Sequence, residues 1–230
     1  MAISYNPSSV TSGLVLCLDA ANTKSYPGSG TTWTDLSGRG NNGTLVNGVG
    51  YNSGNLGSLV FDGTNDYINL GNILNYTTEN FTFNTFFYLN SFTTSVVGQG
   101  PQLFWKGSFN TNGYYCVIGS GGNVLFHTNQ SGSGQFSYTS PGLIAVGVWN
   151  NVSVVRTGPS VKIYINGVDR TNVSATHINP TSSTGNFQLG AYDAGFIYSN
   201  HRVATFQSYS RALSAAEVSQ NYNALKSRYI

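Results

Sequence analysis

Charge is what this sequence has least of. Asp, Glu, Lys and Arg make up 8% of its 230 residues, against about a quarter in an ordinary soluble domain. The basic residues are scattered singly, clustering only weakly near the C-terminal end (Arg202, Arg211, Lys226, Arg228), and the net charge is +2. Nucleic-acid binding needs a basic stripe that displaces counterions, so nucleic acid is not expected as a partner. Two cysteines, Cys17 and Cys116, are too few for a disulfide framework and read as buried free thiols. No apolar run approaches a membrane span, which excludes insertion by a helix. Leu14–Leu18 is also too short for a secretory signal and lacks a basic segment before it.

Catalytic groups are equally sparse. Eight carboxylates are present, whereas a glycosidase needs two facing each other about 5 to 10 Å apart. Partners on one strand would sit two or four residues apart. Only Asp62 and Asp66 are so spaced, and they bracket a turn. The three histidines, His127, His177 and His201, show no H-E-x-x-H spacing. A G-x-S-x-G elbow, a P-loop and a G-x-G-x-x-G fingerprint are all missing. A triad gathered from distant Ser, His and Asp stays open. No catalytic residue is nominated, and the chain reads as a non-enzyme.

What is present is aromatic and neutral polar. Aromatics reach 13%, which excludes disorder, while Asn, Ser, Thr and Gly carry the polarity. Strand-like runs recur between Gly, Asn, Ser and Pro punctuation. In Phe81–Leu89 the alternation puts Phe81, Phe83, Phe87 and Leu89 on one face and Thr82, Asn84, Phe86 and Tyr88 on the other. Val152–Arg156 and Val161–Ile165 form a hairpin, and Asn166-Gly167 suits a type I′ turn. One helix closes the chain, announced by the capping box Ser214-Ala-Ala-Glu217 and the staple pair Leu213 and Val218. The expectation is an all-β, antiparallel two-sheet β-sandwich (jelly roll) with one short C-terminal helix. Residues 1–12 are expected as an N-terminal arm and residues 13–230 as a single domain.

Two ligand chemistries are open. Asp35, Asp62 and Asp66 are candidate calcium ligands, or else they fasten Gly-rich loops as Asx-turns. Trp33, Trp105 and Trp149 adjoin apolar strand residues and are expected in or at the edge of the core. Tyr114, Tyr115, Tyr192 and Tyr198 are the candidate stacking platforms for a sugar, or else ordinary half-buried sheet residues.

Three stretches resemble the laminin-G-like, concanavalin A-like sandwich domains. They are Trp33-Thr-Asp-Leu-Ser-Gly-Arg-Gly-Asn-Asn-Gly with Leu59-Val-Phe-Asp-Gly-Thr-Asn-Asp-Tyr67, Val148–Arg156 leading to Lys162-Ile-Tyr-Ile-Asn-Gly-Val168, and Tyr209-Ser-Arg-Ala-Leu-Ser-Ala-Ala-Glu217. The resemblance implies the same sandwich fold from about residue 12 onward. Laminarinase-like glucanases of this fold carry E-x-D-x-x-E on one strand, and this sequence does not, so their hydrolysis is not implied. Relatives also place an acidic residue on the last strand to help hold calcium. His201–Tyr209 has none, which leaves Asp35 without that partner. No cofactor is expected beyond the calcium candidates.

The opening segments, Gly13–Asn22 and Ser25–Trp33, resemble the version found in virion proteins of tailed bacteriophages. That implies a structural protein of the virion surface, a capsid decoration or tail-associated component made in the host cytoplasm, with other virion proteins as partners. The alternative is a carbohydrate-binding adhesin for host-surface glycans. A glycan-cleaving depolymerase is disfavoured by the carboxylate count.

Overall fold

The computed structural model describes residues 8–96, 99–192 and 196–230. Two antiparallel sheets face each other. The first is organised around Phe81–Thr94, which pairs with Trp149–Thr157 on one side and with Ile197–Tyr209 on the other. Leu14–Asp19 and Ser58–Asp62 share the far edge of Ile197–Tyr209, one along each half. In the second sheet Gln102–Ser108, Asn112–Ile118, Val124–Gln130 and Ser133–Thr139 lie side by side in chain order. The sandwich expected from the sequence is therefore the fold observed.

Alternation fixes which rings meet between the sheets. Phe81, Phe83, Phe87 and Leu89 all enter the main core, as the sequence pattern required. Phe83 meets Phe104 of the opposite sheet at 4.6 Å between ring centroids, and Phe104 stacks on Phe187 at 5.7 Å. Each such ring contributes about 1.5–3 kcal/mol by leaving water. Cys116 is buried in this core and Cys17 is half-buried; both thiols are free. Burial pushes the Cys17 thiol up to about 11 and Cys116 higher still.

The other face of the first sheet is covered by the C-terminal helix, Ala215–Leu225. Both bonds of the capping box form: Glu217 N donates to Ser214 Oγ at 3.3 Å, and Ser214 N donates to Glu217 Oε2 at 2.9 Å. Leu213 and Val218 are buried together with Tyr209, and Leu225 packs with Phe86 and Ala204. Beneath the helix runs a polar row. Asn84 Nδ2 donates to Gln207 Oε1, while Asn84 Oδ1 accepts from Asn151 Nδ2 and Ser153 Oγ, all within 2.8–2.9 Å. Among the described residues no helix is long and apolar enough to cross a membrane.

Residues 1–7 of the expected N-terminal arm lie outside the described residues. The rest of that segment is attached to the domain. Val10 is buried, its N–H donates to Asn221 Oδ1 at 2.8 Å, and its carbonyl accepts from the Tyr209 hydroxyl at 3.0 Å.

Two buried polar side chains tie loops to the sandwich. Arg156 Nη1 donates to the Thr77 carbonyl at 2.6 Å and Nη2 to Asn179 Oδ1 at 2.6 Å. His177 is held between the hydroxyls of Thr128 and Ser137, at 2.9 and 2.8 Å. The Asn166-Gly167 turn forms as expected, with φ of 52° and 78°.

Candidate functional site

Among the described residues the outer face of the second sheet carries no helix. Its strands point Phe104, Tyr114, Cys116 and Phe126 into the core, so the residues between them must face out. Trp105 lies directly across from Tyr115, Tyr115 across from His127, and His127 across from Phe136, one residue from each of four adjacent strands. The side chains form a continuous row. Trp105 and Tyr115 rings stack at 3.8 Å, Tyr115 meets His127 at 4.7 Å, and His127 meets Phe136 at 5.7 Å. Tyr192 closes the other end, 4.0 Å from Trp105.

Two adjoining recesses flank this row. One, of about 290 Å³, is bordered by Gln99, Gln102, Trp105, Tyr115 and Tyr192. The other, of about 230 Å³, is bordered by Leu125, His127 and Phe136. Phe109, Tyr115 and Val117 line both, which makes them one groove. Phe109 and Phe136 are about half exposed, at 51% and 49%. Trp105, Tyr115 and His127 are themselves buried, at 5%, 8% and 5%, so Phe109 and Phe136 carry the open part of this face.

The row is rigid. His127 Nδ1 is hydrogen-bonded to the Tyr115 hydroxyl, and the Trp105 indole N–H donates to the Gly107 carbonyl at 2.7 Å. Gly134 leaves room for the imidazole, since a Cβ there would sit 2.0 Å from His127 Nε2. Burial lowers His127 to about 4 and raises Tyr115, so both are neutral at pH 7.

One residue reaches the groove by an irregularity. Gln102 and Trp105 are three apart, a spacing that regular pleating places on opposite faces. A bulge between Gln102 and Phe104 re-phases the strand. Leu103 and Phe104 both enter the core, and Gln102 emerges beside Trp105, opposite Val117.

The tyrosine candidates divide. Tyr115 and Tyr192 belong to the groove, whereas Tyr114 is a correction: it is fully buried in the core, its hydroxyl donating to the Leu74 carbonyl at 2.5 Å. Tyr198 lies against Tyr67 at 6.3 Å. Trp33 is in the core, Trp149 is half-buried beside the helix, and Trp105 is buried as expected while also bordering the groove.

The acidic candidates fasten loops. Asp35 Oδ1 accepts the N–H groups of Cys17 and Ser37, and its Oδ2 accepts the Ser37 hydroxyl and the Asn41 N–H. Asp62 Oδ1 accepts the Thr64 N–H at 2.7 Å, and Asp66 Oδ2 accepts the Asp62 N–H at 3.2 Å. Burial raises the Asp66 carboxyl above its usual value. Among the described residues no three His, Cys, Asp or Glu groups gather as a metal site. No described carboxylate lines the groove. His127 and His177 bond hydroxyls, and no histidine is bonded to a carboxylate among the described residues. Among the described lining residues no two carboxylates face each other across the groove.

The family profile of the concanavalin A-like lectin/glucanases superfamily, Laminin_G_3, matches residues 62–219. The binding domain of Paraclostridial Mosquitocidal Protein 1 superposes with a TM-score of 0.72 at 18% identity, over 92% of this chain and 52% of that one. The botulinum neurotoxin serotype D binding domain gives 0.69 at 16% identity, over 94% and 52%. Domain 4 of AbnA, a GH43 extracellular arabinanase from Geobacillus stearothermophilus, in complex with arabinotriose, gives 0.68 at 18%, over 91% and 98%. The chain thus spans about half the length of the two toxin binding domains and nearly all of the arabinanase domain. No curated protein matches the sequence.

Proposed function

The chain belongs to the concanavalin A-like lectin/glucanases superfamily, and from that premise we propose that it is a non-enzymatic module that binds glycans in the aromatic groove of its second sheet. One observation carries the reading: the row from Tyr192 to Phe136 lies on a sheet face that no helix covers among the described residues, with no described carboxylate beside it. Rings take the C–H faces of sugars, and neutral amides at the rim take hydroxyls. The arabinotriose on a domain of the same fold supports this order of preference. Binding therefore stands ahead of a purely structural role. The test is a glycan array followed by titration calorimetry. Trp105→Ala and Phe136→Ala should each weaken the best ligand at least tenfold, and no ligand on a broad array would sink the reading.

A finer reading concerns where the module works. The likeness of Gly13–Asn22 and Ser25–Trp33 to tailed-phage virion proteins favours the surface of a virion, as a capsid decoration or tail-associated adhesin seated on other virion proteins. Val10 belongs to the domain core, so the docking-arm idea is tested by deleting residues 1–7 alone. Particles should then lose the protein while the free domain still melts normally. Undiminished incorporation would reject the arm.

A further inference from the structure

Gln102 is 2% exposed, yet its Oε1 has no hydrogen-bond partner among the described residues. Its orientation is settled by its other end: Nε2 donates to the Gly100 carbonyl at 2.6 Å, and a carbonyl can only accept. The backbone is equally fixed, because Gln102 N donates to Ser199 Oγ at 2.6 Å. A buried carbonyl oxygen without a donor is costly and uncommon in a folded domain. Gln102 is a lining residue of the groove, brought there by the bulge at Leu103.

Resting on the glycan-binding reading above, we propose that Gln102 is the specificity-determining residue of the groove and that its Oε1 accepts a hydroxyl from an uncharged sugar. The chemistry is one-sided. A ligand group at this point must donate. A sugar carboxylate or sulfate can only accept, and no Lys or Arg among the described lining residues offsets its charge. Hydroxyls of a neutral pyranose or furanose chain donate, while the sugar C–H groups lie along Phe109 and Tyr192, the more open rings of the same recess. A site built to bond one hydroxyl discriminates strongly against the analogue that lacks it, since its own buried group is then left unpaired.

The experiment uses the whole chain and three panels of soluble oligosaccharides: neutral arabino-, gluco- and galacto-oligosaccharides, uronate-bearing or sialylated ones, and amine-bearing chitosan oligomers. The neutral panel should contain the tightest ligand, with the acidic one at least tenfold weaker. Tighter binding of the acidic or amine-bearing panel overturns the proposal. Single-deoxy versions of the best ligand are then titrated against the wild type. One hydroxyl should cost at least tenfold there and under twofold in Gln102→Met. If Gln102→Met fails to fold, the deoxy series on the wild type decides, and equal tolerance of every deletion overturns the assignment. Binding that vanishes in Trp105→Ala yet ignores every hydroxyl deletion removes Gln102 and leaves the groove. No binding in any panel removes both.

Discussion

The indole of Trp105 and the phenol ring of Tyr115 lie face to face, 3.8 Å apart at their centroids and 8° from parallel. They stand opposite each other on neighbouring strands, so each braces the other against the sheet. The groove therefore presents a pre-formed wall, and a ligand meets little ordering cost there.

Removing one ring should loosen the other. Tyr115→Ala forfeits its buried area and the stacking contribution of about 0.5–1.5 kcal/mol, for a total of roughly 3 kcal/mol. Trp105 emission should move to the red as water reaches the indole. Unchanged emission with unchanged stability would contradict the bracing.

Gly134 offers a sharper test. Replacing a strand glycine by alanine ordinarily helps by about 0.5–1 kcal/mol. Here the new methyl group collides with His127 Nε2, so Gly134→Ala should instead destabilise by about 1–3 kcal/mol. His127→Ala in the same chain should relieve the clash. A double-mutant cycle in urea measures the coupling, and additive losses would refute the contact.

All three histidines are buried, and burial holds His127 and His177 near 4 and His201 near 3. These folded values lie below the unfolded value of about 6.5, so the unfolded chain binds protons first as pH falls. Their contribution is complete above about pH 6.5 and is lost on the way down to about 4 for His127 and His177 and about 3 for His201. Each proton then costs about 1.4 kcal/mol per pH unit. Thermal melts between pH 7 and 4.5 should show falling midpoints, and His201→Leu should flatten the slope by one proton. A flat wild-type profile would be incompatible with neutral buried imidazoles.

Arg156 anchors the Thr77 and Asn179 loops from inside the domain. Arg156→Met keeps most of the volume but strands those acceptors, at a cost of about 3 kcal/mol. Arg156→Lys should recover little, because one ammonium cannot span the fork. Chemical denaturation measures both, and a near-neutral Arg156→Met would show that the loops hold themselves.

Much of the scaffold was legible because it depends on short-range patterns. The alternation of Phe81, Phe83, Phe87 and Leu89, the Ser214–Glu217 box and the Asn166-Gly167 turn each act within a few residues, and each forms as read. The groove depends on phase. Tyr114 and Tyr115 are neighbours of one type, and only pairing with Gln102–Ser108 decides that the first enters the core and the second leaves it. Gln102 was hidden further, because the bulge that turns it outward has no signal in Gln-Leu-Phe-Trp. Asp35 could be read two ways because calcium sites and Asx-turns use the same residue types, and the four bonds it accepts depend on loop geometry that the sequence does not display.

The helix lies on one side of the sandwich and the groove on the other. Ser8 is held by Gln220 of that helix, and Ile230 closes the turn that follows it. Ser8 and Ile230 are thus both fastened on the helix side of the sandwich, which leaves the groove's face to the loops and strands alone.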